Sequence, residues 1–405
     1  MRHASLAEPG TQAEEQGEVE DICAPLFSSL PRRDQRVKAT NYVRGLLRAR
    51  GRKSVRNIAQ VLGPDASEQS LHHFVSESTW DWWPVRHALA RRSTEHGLTS
   101  AWVLQPMVVE KAGTHTVGVT RRFDAASGRT MNLQSSYGVW AASPRGNIPV
   151  SWRLQLPEEW TGNQERRRQA AVPPEAATEG LEECAVRACL ELAAHQGHPA
   201  RPLVADARAM DVVALVRLLE SAGRPFLVRV PDCTPVLAPA PFLSGQPVGA
   251  PSLRPAAIRP VELISATVRS LRRPVVWHDP AGPRQMRTSI VSTVPVRADP
   301  RDEPGNGPLH LVSTGSTLAP GPAEHWLTNL PSHVPGDLSR LLHLTGLLAQ
   351  VAQDASTITE RVGIRDYTGR SFGGWHRHMT LASVAHAVIM ARRPSSPQAR
   401  IRARV

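Results

Sequence analysis

The chain has 405 residues, of which 41% are hydrophobic, so it can bury a sizeable core and is not a wholly disordered protein. Its 48 basic residues outnumber its 36 acidic residues, and the formal net charge of +12 favours a polyanionic partner such as nucleic acid. Only three of the basic residues are lysines, and the chain has 35 prolines. That composition is also typical of a GC-rich genome, which is a second source of the basic excess.

The sequence shows no sign of a membrane anchor or of a disulfide scaffold. No segment approaches 18 uncharged apolar residues, and the N-terminus lacks the apolar stretch of a signal peptide. We therefore expect a cytoplasmic protein with no membrane partner. The four cysteines (Cys23, Cys184, Cys189 and Cys233) form no CxxC pair, so we expect reduced thiols rather than a metal site.

The first hundred residues divide into an acidic and a basic part. Residues 1–30 begin with a segment rich in Gly, Gln and Glu, which predicts a disordered acidic tail. Residues 31–98 are basic, and their apolar spacing predicts a small helical domain. One helix is predicted over 55–62 behind Ser54 as N-cap, and a second is predicted after Ser67.

Two short helices across a tight break resemble a helix-turn-helix-like DNA-binding unit. The spacing alone leaves open an ordinary helical bundle with a solvated basic face. The candidate DNA-binding residues of this segment are Arg44, Arg48, Arg52, Lys53 and Arg56.

Residues 99–230 change to the pattern of a mixed α/β core. Short β-like runs up to residue 140 predict an antiparallel meander. After a helix around residues 180–194, an apolar run ends at Asp206 and a further helix follows. This predicts a βα unit with Asp206 at the carboxyl end of its strand, where α/β folds place ligands.

The remaining chain predicts an insertion and two long helices. Residues 231–325 are dense in proline and contain short β-like runs, which predicts a β-rich insertion. Residues 326–393 return to helical spacing, and residues 394–405 form a basic tail. The fold class predicted is therefore α/β, a mixed sheet with helices that is interrupted by a β insertion and preceded by a small helical domain.

Seven segments in chain order resemble the DDE transposases of bacterial insertion sequences. They are Tyr42–Leu47, Arg52–Val55, Leu71–Val75, Gly113–Val119, Leu156–Trp160, Trp326–Pro331, and Arg370 with Trp375–Leu381. The resemblance covers residues from about 40 to 390. It implies an RNase H-like core, DNA as the partner, and a homodimer as one possible assembly.

The resemblance also implies a mechanism, in which two aspartates and a glutamate hold Mg²⁺ ions that activate water or a 3′-hydroxyl for attack on DNA. It places the second aspartate at Asp206. Gln105 and Pro106 stand where the first aspartate is expected, Ala352 stands at the glutamate position, and Thr359 replaces a lysine of the same helix. Asp206 is then the one matching metal ligand, and we expect no cofactor, or Mg²⁺ if the chain is active.

Three neighbouring carboxylates are candidates to replace the missing ligands. Glu110 would point to the opposite face of a continuing strand, about 16 Å from Gln105. Asp354 lies about 200° around a helix from Ala352 and so faces away from it. Asp211 has the position of a helix cap, and its role as a ligand stays open.

Other candidate residues have a structural interpretation beside the functional one. Asp206 can cap the following helix or pair with an arginine. Arg377 and His378 either approach DNA phosphate or pack near Trp375. No GxGxxG or GxxxxGK[ST] loop is present, and the serines and histidines show no spacing that singles out a Ser-His-Asp site.

The sequence therefore predicts a transposase-family DNA-binding protein without strand-transfer activity. The changes fall on the carboxylate and lysine positions, whereas random decay would also damage turns and packing motifs. Two alternatives remain open. In the first, the chain is an active Mg²⁺-dependent transposase with displaced carboxylates. In the second, its RNase H-like scaffold is reused for a role without DNA.

Overall fold

The computed structural model describes residues 9–64, 66–124, 127–193, 201–239, 257–282, 286–298, 309–316 and 323–392. The basic tail predicted at 394–405 lies outside these ranges. None of the helices described is both long enough and apolar enough to cross a membrane.

Within the described residues, five α-helices and one π-helical turn precede the first strand. They are α1 (Pro9–Leu26), α2 (Arg33–Arg48), α3 (Val55–Leu62), α4 (Glu68–His72), the π-turn (His73–Glu77) and α5 (Trp83–Glu95). Both helix starts predicted from the sequence are confirmed. Ser54 Oγ accepts the Asn57 N–H at 3.2 Å, and Ser67 Oγ accepts the Ser70 N–H at 3.1 Å. Each cap satisfies an N–H at the open end of its helix.

Helix α1 corrects the expectation of a disordered tail for residues 9–26, and the first eight residues of that predicted tail lie outside the described residues. Val19, Cys23 and Leu26 are at most 3% exposed, and their i, i+4, i+7 spacing places them on one side of the helix. On the exposed side, Glu20 pairs with Arg44 at 3.0 Å. The helix was missed because acidic residues dominate the composition, while the buried apolar stripe is narrow.

The central sheet begins with six strands. They are β1 (Ala101–Glu110), β2 (Val119–Asp124), β3 (Arg129–Ser143), β4 (Gly146–Leu154), β5 (Leu203–Asp206) and β6 (Phe226–Val230), with helices α6 (Glu158–Thr161), α7 (Gln164–Gln169), α8 (Leu181–Ala193) and α9 (Val212–Ser221) among them. The order β4–β3–β1–β5–β6 has β1, β5 and β6 parallel and β3 antiparallel to its neighbours. This is the predicted RNase H-like mixed sheet.

Strand β3 is long enough to serve two partners on one side. Its first part, Arg129–Gln134, pairs with β2, and its later part, Ser136–Ser143, pairs with β4. On the other side of β3, strand β1 ends opposite Leu133. The β2–β3 hairpin therefore projects beyond the end of β1. This hairpin and the strand ending at Asp206 lie in one sheet.

The proline-rich stretch is rich in strands and adds to the main sheet. Its elements are β7 (Pro235–Ala238), β8 (Ala257–Pro260), α10 (Val261–Thr267), β9 (Arg273–His278), β10 (Met286–Val296), β11 (Leu309–Ser316) and β12 (Glu324–Thr328). Strands β7 and β8 form a separate pair, whereas β12, β11, β10 and β9 extend the sheet outward from β6. Pairing with β12 satisfies the outer edge of β6, which would otherwise be open.

Two long helices, α11 (Pro335–Arg361) and α12 (Phe372–Ala391), complete the fold. Helix α11 contacts β9 and then β6, β5 and β1, so it crosses the sheet. Helix α12 packs against β4 on one side and against α2, α5 and the π-turn on the other. Every residue from 374 to 388 is buried, as expected for a helix in the middle of a protein.

Candidate functional site

Three parallel strands bring together one polar and two charged side chains, at the carboxyl ends of β5 and β6 and midway along β1. Leu104 of β1 is paired with Ala205 of β5, so Gln105 and Asp206 follow side by side. Asp206 is in turn paired with Arg229 of β6. Aligned residues on neighbouring strands point to the same face of a sheet, so all three side chains share one face. We call this group, with the residues that contact it, the carboxyl edge.

Asp206 is held by a residue that the sequence analysis did not single out. The backbone N–H of Arg208 donates to Asp206 Oδ1 at 3.1 Å. The Arg208 Nε donates to both oxygens, at 2.9 and 3.1 Å, and Nη2 donates to Oδ2 at 2.6 Å. Partial burial acts to raise the pKa of Asp206, but the bonds from Arg208 outweigh it and lower the pKa below its ordinary value. The carboxylate is therefore ionised and its charge is neutralised within the chain.

Further charges surround this pair. Arg229 Nη2 donates to Glu324 Oε1 at 2.7 Å. The hydrogen bond with Asp206, and then the charges of Asp206, Glu324 and Asp232, raise the pKa of Arg208. Two arginines thus lie among three carboxylates at this edge. The Asp-x-Arg spacing after an apolar strand is the one signal in the sequence that could have pointed to Arg208.

The positions expected to supply the other two metal ligands carry none. Gln105 is half-buried, and its Nε2 lies 3.5 Å from the carbonyl of the exposed Pro106. Ala352 lies on α11 with its side chain exposed. The residue two positions on, Asp354, is buried, and its Oδ2 accepts from Asn147 Nδ2 at 2.8 Å. The predicted orientation of Asp354 away from Ala352 is confirmed.

The two other carboxylates considered from the sequence also have their own places. Asp211 is the N-cap of α9, where its Oδ1 accepts the Ala214 N–H at 3.0 Å, which confirms the capping role. Glu110 ends β1 with an exposed side chain, five residues beyond Gln105. The hydrogen bonds to Asp206 given above come from Arg208 and not from Asp211 or Glu110.

The donor set at the carboxyl edge does not suit a pair of Mg²⁺ ions. Such ions need several hard oxygen ligands, and two close divalent ions need compensating negative charge. Here the guanidinium of Arg208 takes the oxygens of Asp206. Across the described residues, no three or more His, Cys, Asp or Glu side chains are grouped so as to hold a metal ion.

The predicted DNA-binding residues fall into two groups. Arg48, Arg52 and Arg56 are exposed near the junction of α2 and α3, together with Arg50. Arg44 is half-buried and pairs with Glu20. We call the four exposed arginines (Arg48, Arg50, Arg52 and Arg56) the basic edge.

Lys53, Arg377 and His378 require a correction, because their side chains are at most 8% exposed and their polar atoms are already bonded. Lys53 Nζ donates to the Ala49 carbonyl. Arg377 donates to the carbonyls of Val75 and Trp80, each at 3.1 Å. These residues join elements inside the protein, so none of them can contact a phosphate in this conformation. Of the two interpretations given for Arg377 and His378, the structure therefore shows the packed one.

A family model described as DDE superfamily endonuclease matches residues 25–297. The chain belongs to the DDE superfamily endonucleases. The DDE relationship predicted from the seven motifs is thereby confirmed. The match includes the helices from α2 onward and the carboxyl-edge residues Gln105, Asp206, Arg208 and Arg229, and it ends before α11, which carries Ala352.

The DDE superfamily endonuclease chain is also similar to a solved structure. That structure is described as a cryo-EM structure of a piggyBac transposase synaptic complex with hairpin DNA. The sequences are 13% identical, the match covers 95% of this chain and 74% of the other, and the TM-score is 0.38. No curated protein sequence matches the chain.

Proposed function

We propose that this DDE superfamily member binds DNA and does not cleave or transfer DNA strands. The observation that carries the proposal is the four-bond contact between Arg208 and Asp206 at the carboxyl edge. A guanidinium in bidentate contact with a carboxylate supplies positive charge where a metal-dependent enzyme would need a bare oxygen ligand. The site is therefore suited to holding its shape without a metal ion.

The chemistry of the neighbouring positions supports the loss of cleavage. The amide of Gln105 is neutral, and Ala352 offers no oxygen from its side chain. Mg²⁺ keeps its water molecules unless several carboxylates replace them, so Asp206 alone would not order a pair of ions. Without them, neither the attacking nor the leaving oxygen of a phosphodiester is stabilised.

The basic edge supports DNA as the partner. Its four arginines are exposed within a stretch of nine residues, and each can neutralise one phosphate. The +12 net charge of the chain adds a long-range attraction toward a polyanion. Lys53, Arg377 and His378 are left out of this surface because they are buried.

A second candidate function, metal-dependent cleavage through displaced carboxylates, rests on Glu324 and Asp232. Both charges act on Arg208, so both lie near the carboxyl edge. The Glu324 carboxylate is 42% exposed and could leave Arg229. The experiment below separates this candidate from the first.

The full-length chain is mixed with supercoiled plasmid in millimolar Mg²⁺ or Mn²⁺, and binding and nicking are read from one agarose gel. We expect a mobility shift without nicked or linear product. Asp206→Asn and Glu324→Gln should bind as the wild type does. Nicking that disappears in either variant would overturn the proposed loss of activity, and the absence of any shift at low salt would overturn DNA binding.

A further inference from the structure

The tip of the β2–β3 hairpin carries an exposed aromatic side chain. Phe123 is 68% exposed, the highest value among the large hydrophobic residues in the described part of the chain. It lies one residue from the end of β2 and opposite Thr130. A single exposed hydrophobic residue is common on protein surfaces, so the projecting position of Phe123 and its neighbours, rather than its exposure alone, indicate a contact with another molecule.

The residues around Phe123 are polar and include a positive charge. Arg121 is paired with Asn132, and Phe123 with Thr130, so the four side chains share one face of the hairpin. We call them the hairpin face. Arg121 and Thr130 are exposed and Asn132 is half-buried. The hairpin face therefore offers a cation, an amide, a hydroxyl and an aromatic ring, and it contains no carboxylate. These groups are suited to contact the phosphates and bases of nucleic acid.

The strand register places the hairpin face on the same side of the sheet as the carboxyl edge. Gln105 is paired with Gly138 of β3, and every second residue from Gly138 down to Thr130 points to that side. Eight residues of strand separate the two positions, which is about 27 Å at 3.4 Å per residue. Since B-DNA rises about 3.4 Å per base pair, this span is about eight base pairs.

We propose that the hairpin face contacts duplex DNA, with Arg121 at a phosphate and Phe123 inserted against the bases. The inference rests on the proposed function, because it assigns a second contact to the same bound DNA. Apolar side chains that enter between base steps unstack them and kink the duplex. A hairpin that projects past its sheet has the room to reach a groove.

The test uses two variants at the hairpin face and one matched control. Phe123→Ala and Arg121→Ala change exposed side chains, and so does the control Val108→Ala, because Val108 is 52% exposed on β1. Val108 is paired with Ser135, so it lies on the opposite face of the sheet. Affinity is measured by fluorescence anisotropy on labelled duplexes of about three helical turns, one fully paired and one with a central mismatch.

We expect the wild type to prefer the mismatched duplex, because unstacking costs less there. Phe123→Ala should lose this preference and bind at least about fivefold more weakly. Arg121→Ala should lower the slope of log affinity against log salt by about 0.9, the value for one phosphate contact. Val108→Ala should match the wild type.

Three other results would overturn the inference, and they differ in what they leave standing. If the wild type binds DNA tightly and neither hairpin variant changes the affinity, the hairpin contact is excluded and the proposed function stands. If the wild type does not bind DNA, both the hairpin contact and the proposed function are excluded. A change in molecular mass by light scattering in Phe123→Ala, with unchanged DNA affinity, would assign the hairpin face to a protein contact.

Discussion

His378 links three parts of the chain through a neutral ring. The Gly363 carbonyl lies 2.8 Å from Nε2 and can only accept, so Nε2 carries the proton. Nδ1 then accepts from the Tyr42 hydroxyl at 3.0 Å. Burial lowers the pKa of His378 from its ordinary 6.5 to about 4, against the opposing pull of the Gly363 hydrogen bond. The ring therefore stays neutral while the protein is folded.

This buried histidine makes folding sensitive to acid. Its contribution to the free energy of unfolding is complete above pH 6.5, where the unfolded chain is also neutral, and is lost as the pH falls through 4. The loss amounts to about 3 kcal/mol. In urea unfolding at pH 7 and pH 4, His378→Gln should lose less stability than the wild type over this interval. The exposed His115→Gln should behave as the wild type, and an equal pH dependence in all three proteins would contradict the assignment.

The sequence predicted that Asp206 ends a strand, but it did not single out Arg208 as the partner of this carboxylate. An apolar run followed by an aspartate identifies the end of a strand, because both features are local. The bond to Arg208 depends on how the chain turns after the strand, so the Asp-x-Arg spacing indicates this partner but does not establish the contact. For Arg377 the sequence left phosphate contact and packing open, because its acceptors, the carbonyls of Val75 and Trp80, lie about 300 residues away in sequence.

The contact between α2 and α3 depends on the missing side chain of Gly45. A Cβ at this position would lie 2.4 Å from Ile58 Cγ2. In a free helix, replacing glycine with alanine adds up to about 1 kcal/mol of stability. Here the clash forces the two helices apart, so we expect Gly45→Ala to destabilise the protein by about 1 to 3 kcal/mol.

The measurement for Gly45→Ala is the midpoint and slope of urea unfolding, with Gly17→Ala as the matched control. Gly17 lies in α1, and a Cβ there would meet no atom within 4 Å. The control should therefore gain about 0.5 to 1 kcal/mol. Equal gains in both variants would show that the close approach of α2 and α3 is not tight. The double variant Gly45→Ala/Ile58→Ala should cost less than the sum of its parts.

Helix caps and hydrophobic periodicity were sufficient to predict the boundaries of a helix where both signals agreed. Helix α3 begins and ends where the Ser54 cap and the apolar spacing predicted. Helix α1 was missed because burial of Val19 and Cys23 overrides a composition that favours disorder. The insertion was predicted to be β-rich, but sequence patterns do not tell which sheet a strand joins. That choice depends on the free edge of β6.

For the molecule as a whole, DNA affinity should depend on where charge is placed and not only on its amount. Arg52→Ala/Arg56→Ala should lower the slope of log affinity against log salt by about 2, since two phosphate contacts are lost. Arg217→Ala/Arg340→Ala removes the same charge from exposed positions on α9 and α11. Both double variants are titrated by anisotropy on one duplex over a range of salt concentrations. Equal slopes would show that the basic edge has no special role.

The burial of residues 374–388 of α12 imposes a mechanical constraint on any bound DNA. Helix α12 contacts both α2, whose end carries Arg48 of the basic edge, and β4, which belongs to the same sheet as the hairpin face. Where this packing keeps the two surfaces at one angle, a duplex that touches both surfaces has to supply the curvature itself. DNA is stiff over a few helical turns, and the energy of bending it depends on the flexibility of each base step. The protein would then select sequences through their flexibility, including at steps that none of its side chains touches.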